Sequence, residues 1–187
     1  MVEIVKLKKI NKIYGETRQF HVLHDIDLSI SDSSLNVLVG KSGSGKTTLL
    51  QIMGTLDNPT SGDVYISNVK TNDLKENELS VLRNQEIGFI FQFHYLLPEF
   101  TVMENILMPA YINNSKLPDE VIDKANELMT KIDITDIKNK LIKNISGGEQ
   151  QRTAIARALI NDPKIVFADE PTGTLDSVNT EKILSLI

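Results

Sequence analysis

Cysteine is absent from this 187-residue sequence, which excludes a disulfide framework and a thiolate zinc site and suits a reducing compartment. Nor is there an excess of basic charge. The 20 Lys and Arg residues stand against 25 Asp and Glu, for a net charge of -5. That balance gives no support to a large nucleic-acid footprint, which needs clustered basic residues. No stretch approaches the roughly 18 consecutive apolar residues of a membrane span. The opening Met1-Val2-Glu3-Ile4 has no signal-peptide pattern. The expectation is a cytosolic chain that reaches any membrane only through a partner. What is present suffices for a core: 41% of residues are hydrophobic, enough for one domain, with or without an insertion.

The organising stretch is GKSGSGKT, Gly40 to Thr47, directly after the apolar run Leu35-Asn36-Val37-Leu38-Val39. It fits G-x-x-x-x-G-K-[ST], a pattern with a mechanical reason: a buried strand delivers the chain to a loop that must bend around an anion. Gly40, Gly43 and Gly45 free the backbone, so consecutive N–H groups of Gly40, Lys41, Ser42, Gly43, Ser44, Gly45, Lys46, Thr47 and Thr48 can face one concavity. Lys46 adds a positive charge at the rim, and Thr47 offers a hydroxyl to Mg²⁺. Leu49, Leu50, Ile52 and Met53 begin a helix whose N-terminus faces the anion. The stretch reads as strand, phosphate loop, helix.

Around it the chain alternates strands and helices. Ile4, Leu7 and Ile10 interleave with lysines, and Phe20, Val22, Ile26, Leu28 and Ile30 alternate with polar residues, as half-exposed antiparallel strands do. The lysines suggest a protected edge strand. Tyr14-Gly15 closes the first strand. Turn formers at 58–62 precede a strand over 63–66, Glu76 to Asn84 reads as a helix, and Ile87 to Phe91 as a buried strand stopping at Gln92. Helical signals then cover Thr101 to Met108, Asp119 to Ile132 and Ser146 to Asn161, with Pro98, Pro109 and Pro118 as punctuation. Met103, Met108 and Met129 fall at helical spacing and are assigned to the core. His21, His24 and His94 lack companions at metal-ligand spacing, and no metal is assigned to them.

Two later stretches carry chemistry. Ser146-Gly147-Gly148-Glu149 has the capping-box form S-x-x-E. Glycine weakens a first turn by up to about 1 kcal/mol each, so two of them there call for another reason. Close approach of a phosphate to exposed N–H groups supplies one. The second stretch is Ile165 to Ala168, a buried strand ending in Asp169-Glu170. Open α/β sheets place their ligands at such strand ends. An Asp there can hold Mg²⁺, and the adjacent Glu can orient or deprotonate a water.

Taken together, these motifs resemble the ATP-binding subunit of ABC transporters along essentially the whole chain. GKSGSGKT resembles the Walker A loop, Gln92 the Q-loop glutamine, Ile145 to Arg152 (ISGGEQQR) the signature, Ile165 to Glu170 (IVFADE) the Walker B strand with its catalytic glutamate, and Leu175-Asp176 the D-loop. Thr174 departs from close relatives, which more often have Asn there. The wording from Phe91 to Pro109 is similar to the branch that powers lipoprotein release, macrolide and peptide export, and a division-associated complex; an importer or a regulator of a cell-wall hydrolase shares much of it.

The resemblance implies an α/β fold: a P-loop NTPase core of the RecA-like type with an N-terminal antiparallel β-subdomain and an inserted helical subdomain. Residues 1–92 and 162–187 would be the core of this single domain, and 93–161 the insertion with the signature. It implies ATP and Mg²⁺ as ligands, adenine against Tyr14, and Mg²⁺ near Thr47, Gln92 and Asp169. Glu170 and Gln92 would be the catalytic pair. Ser146, Gly147, Gly148, Glu149 and Asp176 would complete the site of a second copy in a head-to-tail, ATP-dependent homodimer. An integral membrane permease is the implied partner, nucleic acid is not, and the implied location is the cytoplasmic face of the membrane. The family's γ-phosphate-contacting histidine would lie beyond Ile187, 17 residues after Glu170, so the resemblance also implies a C-terminally truncated chain.

Overall fold

In the computed structural model, which describes residues 2–15, 17–112 and 116–170, strand β1 (Glu3–Tyr14) shows how an alternating pattern survives an irregularity. Val5 and Leu7 are buried two apart, and so are Ile10 and Lys12, but the two pairs are out of phase. A register shift between Leu7 and Ile10 resets the phase, with Lys9 at φ 48°. Such a bulge turns the following side chains back to the buried face. Asp27 secures it by accepting from the Lys9 N–H at 2.9 Å.

β1 pairs antiparallel with β2 (Phe20–Ser31) on one side and β3 (Ser61–Ile66) on the other, and β3 continues into the short β4 (Val69–Lys70). The order is β2-β1-β3-β4. The lysine-bearing strand is therefore central, not at the edge. Lys6, Lys8 and Lys9 lie partly or fully exposed on it, because an antiparallel sheet can bury one face and solvate the other. Helix α1 (Lys46–Met53) follows the phosphate loop and buries Leu49, Ile52 and Met53. These elements belong to the first of two units into which the chain divides, Met1–Arg83 and Asn84–Ile187.

The expected strand at 35–39 is not formed. Leu35, Val37 and Val39 are 85%, 75% and 82% exposed, and no ladder partner for them occurs among the described residues. An apolar run is a strand only where a neighbour takes its N–H and C=O groups, and here none does.

α2 (Glu76–Glu86) spans the division between the units. In the second unit, β5 (Ile87–Ile90) and β6 (Ile165–Ala168) pair in parallel. Beside them α3 (Val102–Tyr111), α4 (Asp119–Lys131) and α5 (Gly147–Leu159) enclose a core that includes Ile106, Met129, Ile132 and Ile134, all at or below 1% exposure. Met103 packs against this core, and Met108 is half-buried. Pro109 lies inside α3 rather than ending it. Its carbonyl is among the last four of the helix, which have no intrahelical donor, and the Asn84 amide supplies one at 2.9 Å.

At Gly62 the backbones of β1 and β3 approach closely, with φ +99° and a notional Cβ only 2.4 Å from the Lys9 oxygen. Gly62→Ala is therefore expected to cost at least about 1–2 kcal/mol, read as a lower denaturant midpoint at unchanged slope. An unchanged midpoint would refute this account of the β1–β3 contact.

Candidate functional site

The phosphate-loop sequence is built as a backbone cradle. Gly43 takes φ +76° and Gly45 φ +90°, conformations in which a Cβ is strained. At Gly45 the close neighbours are Val22 and Leu23, with Leu23 Cδ2 2.9 Å from the notional Cβ; at Gly43 there is nothing within 4 Å, so its φ alone requires glycine. Gly45 is the N-cap of α1 and offers no side-chain acceptor, so the first N–H groups of the helix have no capping side chain. The Lys46 ammonium is folded back onto the loop and donates to the carbonyls of Gly40 and Lys41, both at 3.0 Å. Lys41, Ser42, Gly43, Ser44 and Thr47 are exposed, while Thr48 is half-buried on α1.

Tyr14 is anchored rather than loose. Its hydroxyl donates to Asp57 at 2.6 Å, and the Lys12 ammonium lies 4.7 Å from its ring centroid while pairing with the same Asp57 at 2.6 Å. Burial pushes the Asp57 carboxyl up, but the bonds from Lys12 and Tyr14 outweigh it, and the group titrates below the usual carboxylate range. Burial and the bond to Asp57 raise the Tyr14 phenol, against a lowering contribution from Thr48. Tyr14 as a residue remains 39% exposed.

In the second unit the two strand ends bring Gln92 and Glu170 together. β5 and β6 run parallel with Ile90 opposite Ala168, and the Asp169 N–H continues the ladder to the Ile90 carbonyl at 2.9 Å. The residues after each strand thus come out side by side. Gln92 Nε2 donates to Glu170 Oε2 at 2.8 Å. Glu170 itself sits at φ 51°, unusual for a residue with a side chain and characteristic of functional positions when the fold enforces it. Asp169 is half-buried at the end of β6.

The expected capping box closes α5. Ser146 and Glu149 bond reciprocally: the Ser146 N–H and hydroxyl both donate to Glu149 Oε2 at 2.7 Å, and the Glu149 N–H reaches the Ser146 oxygen at 3.4 Å. These bonds, the hydroxyl's first, hold the Glu149 carboxyl below its ordinary value. Gly147 is exposed, and a Cβ there would meet no atom within 4 Å. Asp176 lies outside the described residues.

Three features of the molecule were not anticipated from the pattern. Thr101 and Glu104 form a second capping box, at the start of α3; its T-x-x-E spelling was legible. The Lys12–Tyr14–Asp57 cluster had no local signal, since 43 residues separate Tyr14 from Asp57. Arg157 donates to the carbonyls of Tyr95 and His94, each at 2.7 Å, across more than sixty residues.

A glycine cradle opening a helix, and a carboxylate at the end of a parallel strand held by a glutamine amide, define a phosphate-loop ATPase of the cassette type. Comparison with known proteins carries this further. The family model for ABC transporters matches residues 23–173. Lipoprotein-releasing system ATP-binding proteins LolD are similar to the chain: that of Desulfotalea psychrophila is 50% identical over 96% of this chain and 80% of its own length. That of Bacteroides thetaiotaomicron is 47% identical over 98% and 82%. Among solved structures, a dimeric, post-hydrolysis state of the ATP-binding cassette MJ0796 with ADP and Pi superposes with a TM-score of 0.91 at 41% identity, covering 97% of this chain and 80% of that one. The chain belongs to the ABC transporter family, and its α/β fold with an antiparallel β-subdomain is that of the family's ATPase cassettes.

Because the Glu149 pKa is depressed in the fold, its cap stabilises above the unfolded value of about 4.3 and is lost as pH falls through the folded value. Ser146→Ala removes the hydroxyl and leaves the backbone bond. The Glu149 pKa is then expected to move part of the way up toward about 4.3, with a loss of about 1 kcal/mol of stability. Carboxyl titration by NMR checks this, and an unmoved pKa would show that the hydroxyl bond is not what holds it.

Proposed function

We propose that the chain is the ATP-binding and ATP-hydrolysing subunit of an ABC transporter that drives lipoprotein release, working as a head-to-tail pair of copies on an integral membrane permease. The observation that carries the pairing is the tip of α5. Gly147 is neither left-handed nor crowded by its own chain, so nothing among the described residues requires it to lack a Cβ. A close approach from outside does. An ATP phosphate held by a second copy fits that approach, because the tip presents N–H groups at the positive end of a helix dipole.

In this reading the amides of Gly40 to Thr48 and the Lys46 ammonium hold the phosphates, and Lys46 turns from the Gly40 and Lys41 carbonyls to the incoming charge. Tyr14, fixed by Asp57 and Lys12, lies against adenine. By the resemblance, Thr47 in the first unit and Gln92 and Asp169 in the second would offer oxygen donors of the kind Mg²⁺ takes, and the ion when bound would neutralise charge on the terminal phosphates. The second copy's Ser146, Gly147, Gly148 and Glu149 close over the γ-phosphate. Closure excludes water and aims the tip amides at the charge of the transition state.

Glu170 orients and deprotonates the attacking water. The amide of Gln92 donates to one Glu170 oxygen and orients the carboxylate for that step. Gln92 leads into residues 93–161, read as the helical insertion, and so links nucleotide state to the permease at the cytoplasmic face of the membrane. The lipoprotein-releasing relatives support the choice of cargo. No helix among the described residues is long and apolar enough to cross a membrane.

Glu170→Gln removes the base and leaves the cradle. Hydrolysis is expected to fall at least about a hundredfold with ATP binding retained, and light scattering should show an ATP-dependent dimer. Monomer alone at saturating MgATP would contradict the shared site.

A further inference from the structure

Residues 88–95 are held against α5 from both sides of Gln92. Ahead of it, the backbone of β5 comes so close that a Cβ on Gly88 would lie 2.6 Å from the Ala158 carbonyl oxygen. Behind it, the neighbouring Arg157 spreads its guanidinium over two consecutive carbonyls, Nη2 to His94 and Nη1 to Tyr95, both at 2.7 Å. Tyr95 is at φ 48°, a conformation that L side chains rarely adopt, and its ring folds back edge-on to Phe91 at 5.1 Å. The result is a closed turn, Phe91 to Tyr95, whose two ends are tied and from which Gln92 reaches out to bond Glu170.

Arg157 is an expensive way to make such a tie. Among the described residues no carboxylate pairs with it and its only hydrogen-bond partners are those two carbonyls, while burial disfavours its half-buried charge. Where packing is all that is needed, an uncharged side chain of similar length serves at lower cost. What an uncharged chain cannot supply, and a lysine supplies only in part, is a planar fork that fixes two carbonyls in relation to each other.

We propose that Arg157 is a positioning residue for hydrolysis: by clamping the His94 and Tyr95 carbonyls it sets the turn that presents Gln92 to Glu170. The helix that carries the fork also carries Ser146 and Gly147 at its other end, about 15 Å away at the rise of an α-helix. A displacement of the α5 tip is thereby delivered to the glutamine turn through one rigid rod. This rests on the reading of Gln92 and Glu170 as the catalytic pair given above.

The test is a double-mutant cycle on the purified full chain, with MgATP hydrolysis and binding of a fluorescent ATP analogue measured for Arg157→Lys, Arg157→Met, Gln92→Ala and the combinations. Arg157→Lys is expected to lower kcat by about ten- to a hundredfold, with KM and analogue affinity within about twofold. In the Gln92→Ala background the same substitution should cost less than about twofold, because acts through one residue do not add. Arg157→Met should lose at least as much as Arg157→Lys. Full activity in Arg157→Lys, an equal loss with and without Gln92, or loss of analogue binding through unfolding of both Arg157 variants would each overturn the proposal. If Gln92→Ala and Glu170→Gln both hydrolyse ATP normally, it is the catalytic reading that fails, and this result is separate from the others.

Discussion

A phosphate can be gripped by backbone N–H groups only where the chain exposes several of them without side chains in the way, and that constraint organises the molecule. It explains why glycines occur in left-handed conformations at 43 and 45, ahead of an uncapped helix. In the proposed pairing of two copies it also accounts for an open glycine at 147, the first residue of α5. Both places weaken the local structure, since glycine contributes little to a helix start. The surrounding elements offset that weakness: the Ser146–Glu149 box ties one tip, and Leu49, Ile52 and Met53 bury the helix behind the other.

The same economy runs through the second unit. Two four-residue strands present Gln92 and Glu170 from adjacent ends of a parallel pair, where the offset of one residue decides whether the side chains meet. Precision at that point is not supplied by the strands alone. It is supplied by α5, which touches β5 closely enough to require glycine at 88 and reaches past the strand to the turn beyond. In the proposed mechanism this helix is both a phosphate-binding tip and the support of the catalytic turn, so binding at one end has a physical route to the chemistry at the other.

Periodicity and caps made most elements legible. Alternation predicted β1 and β2, apolar runs predicted β5 and β6, and S-x-x-E marked the start of α5. What stayed illegible depends on partners remote in sequence. The run at 35–39 reads as a strand, yet a strand is a property of a pair, and its apolar side chains are exposed. The lysines of β1 look the same on an edge or on the wet face of a central strand, and only the pairing separates these. Pro109 marks a helix end by local rule, but packing of Leu107 and Ala110 and a remote amide from Asn84 carry α3 through it. For the proposed site, motif spelling points to Gly40 to Thr48, Ser146 to Glu149, Gln92, Asp169 and Glu170. The supports, Asp57 under Tyr14 and Arg157 under the glutamine turn, were not spelled anywhere, because a supporting side chain is defined by where it ends up.

The central claim is that one nucleotide is enclosed by the glycine loop of one copy and the α5 tip of another. The chain has no cysteine of its own, so introduced thiols are the only ones present. With Ser42→Cys in one copy and Ser146→Cys in another, mixed under MgATP in the Glu170→Gln background and treated with a short bis-thiol crosslinker, the account predicts a product of doubled mass. That product should disappear without nucleotide. A crosslink formed inside a single chain carrying both thiols, with no change of mass, or no crosslink at saturating MgATP, would contradict it.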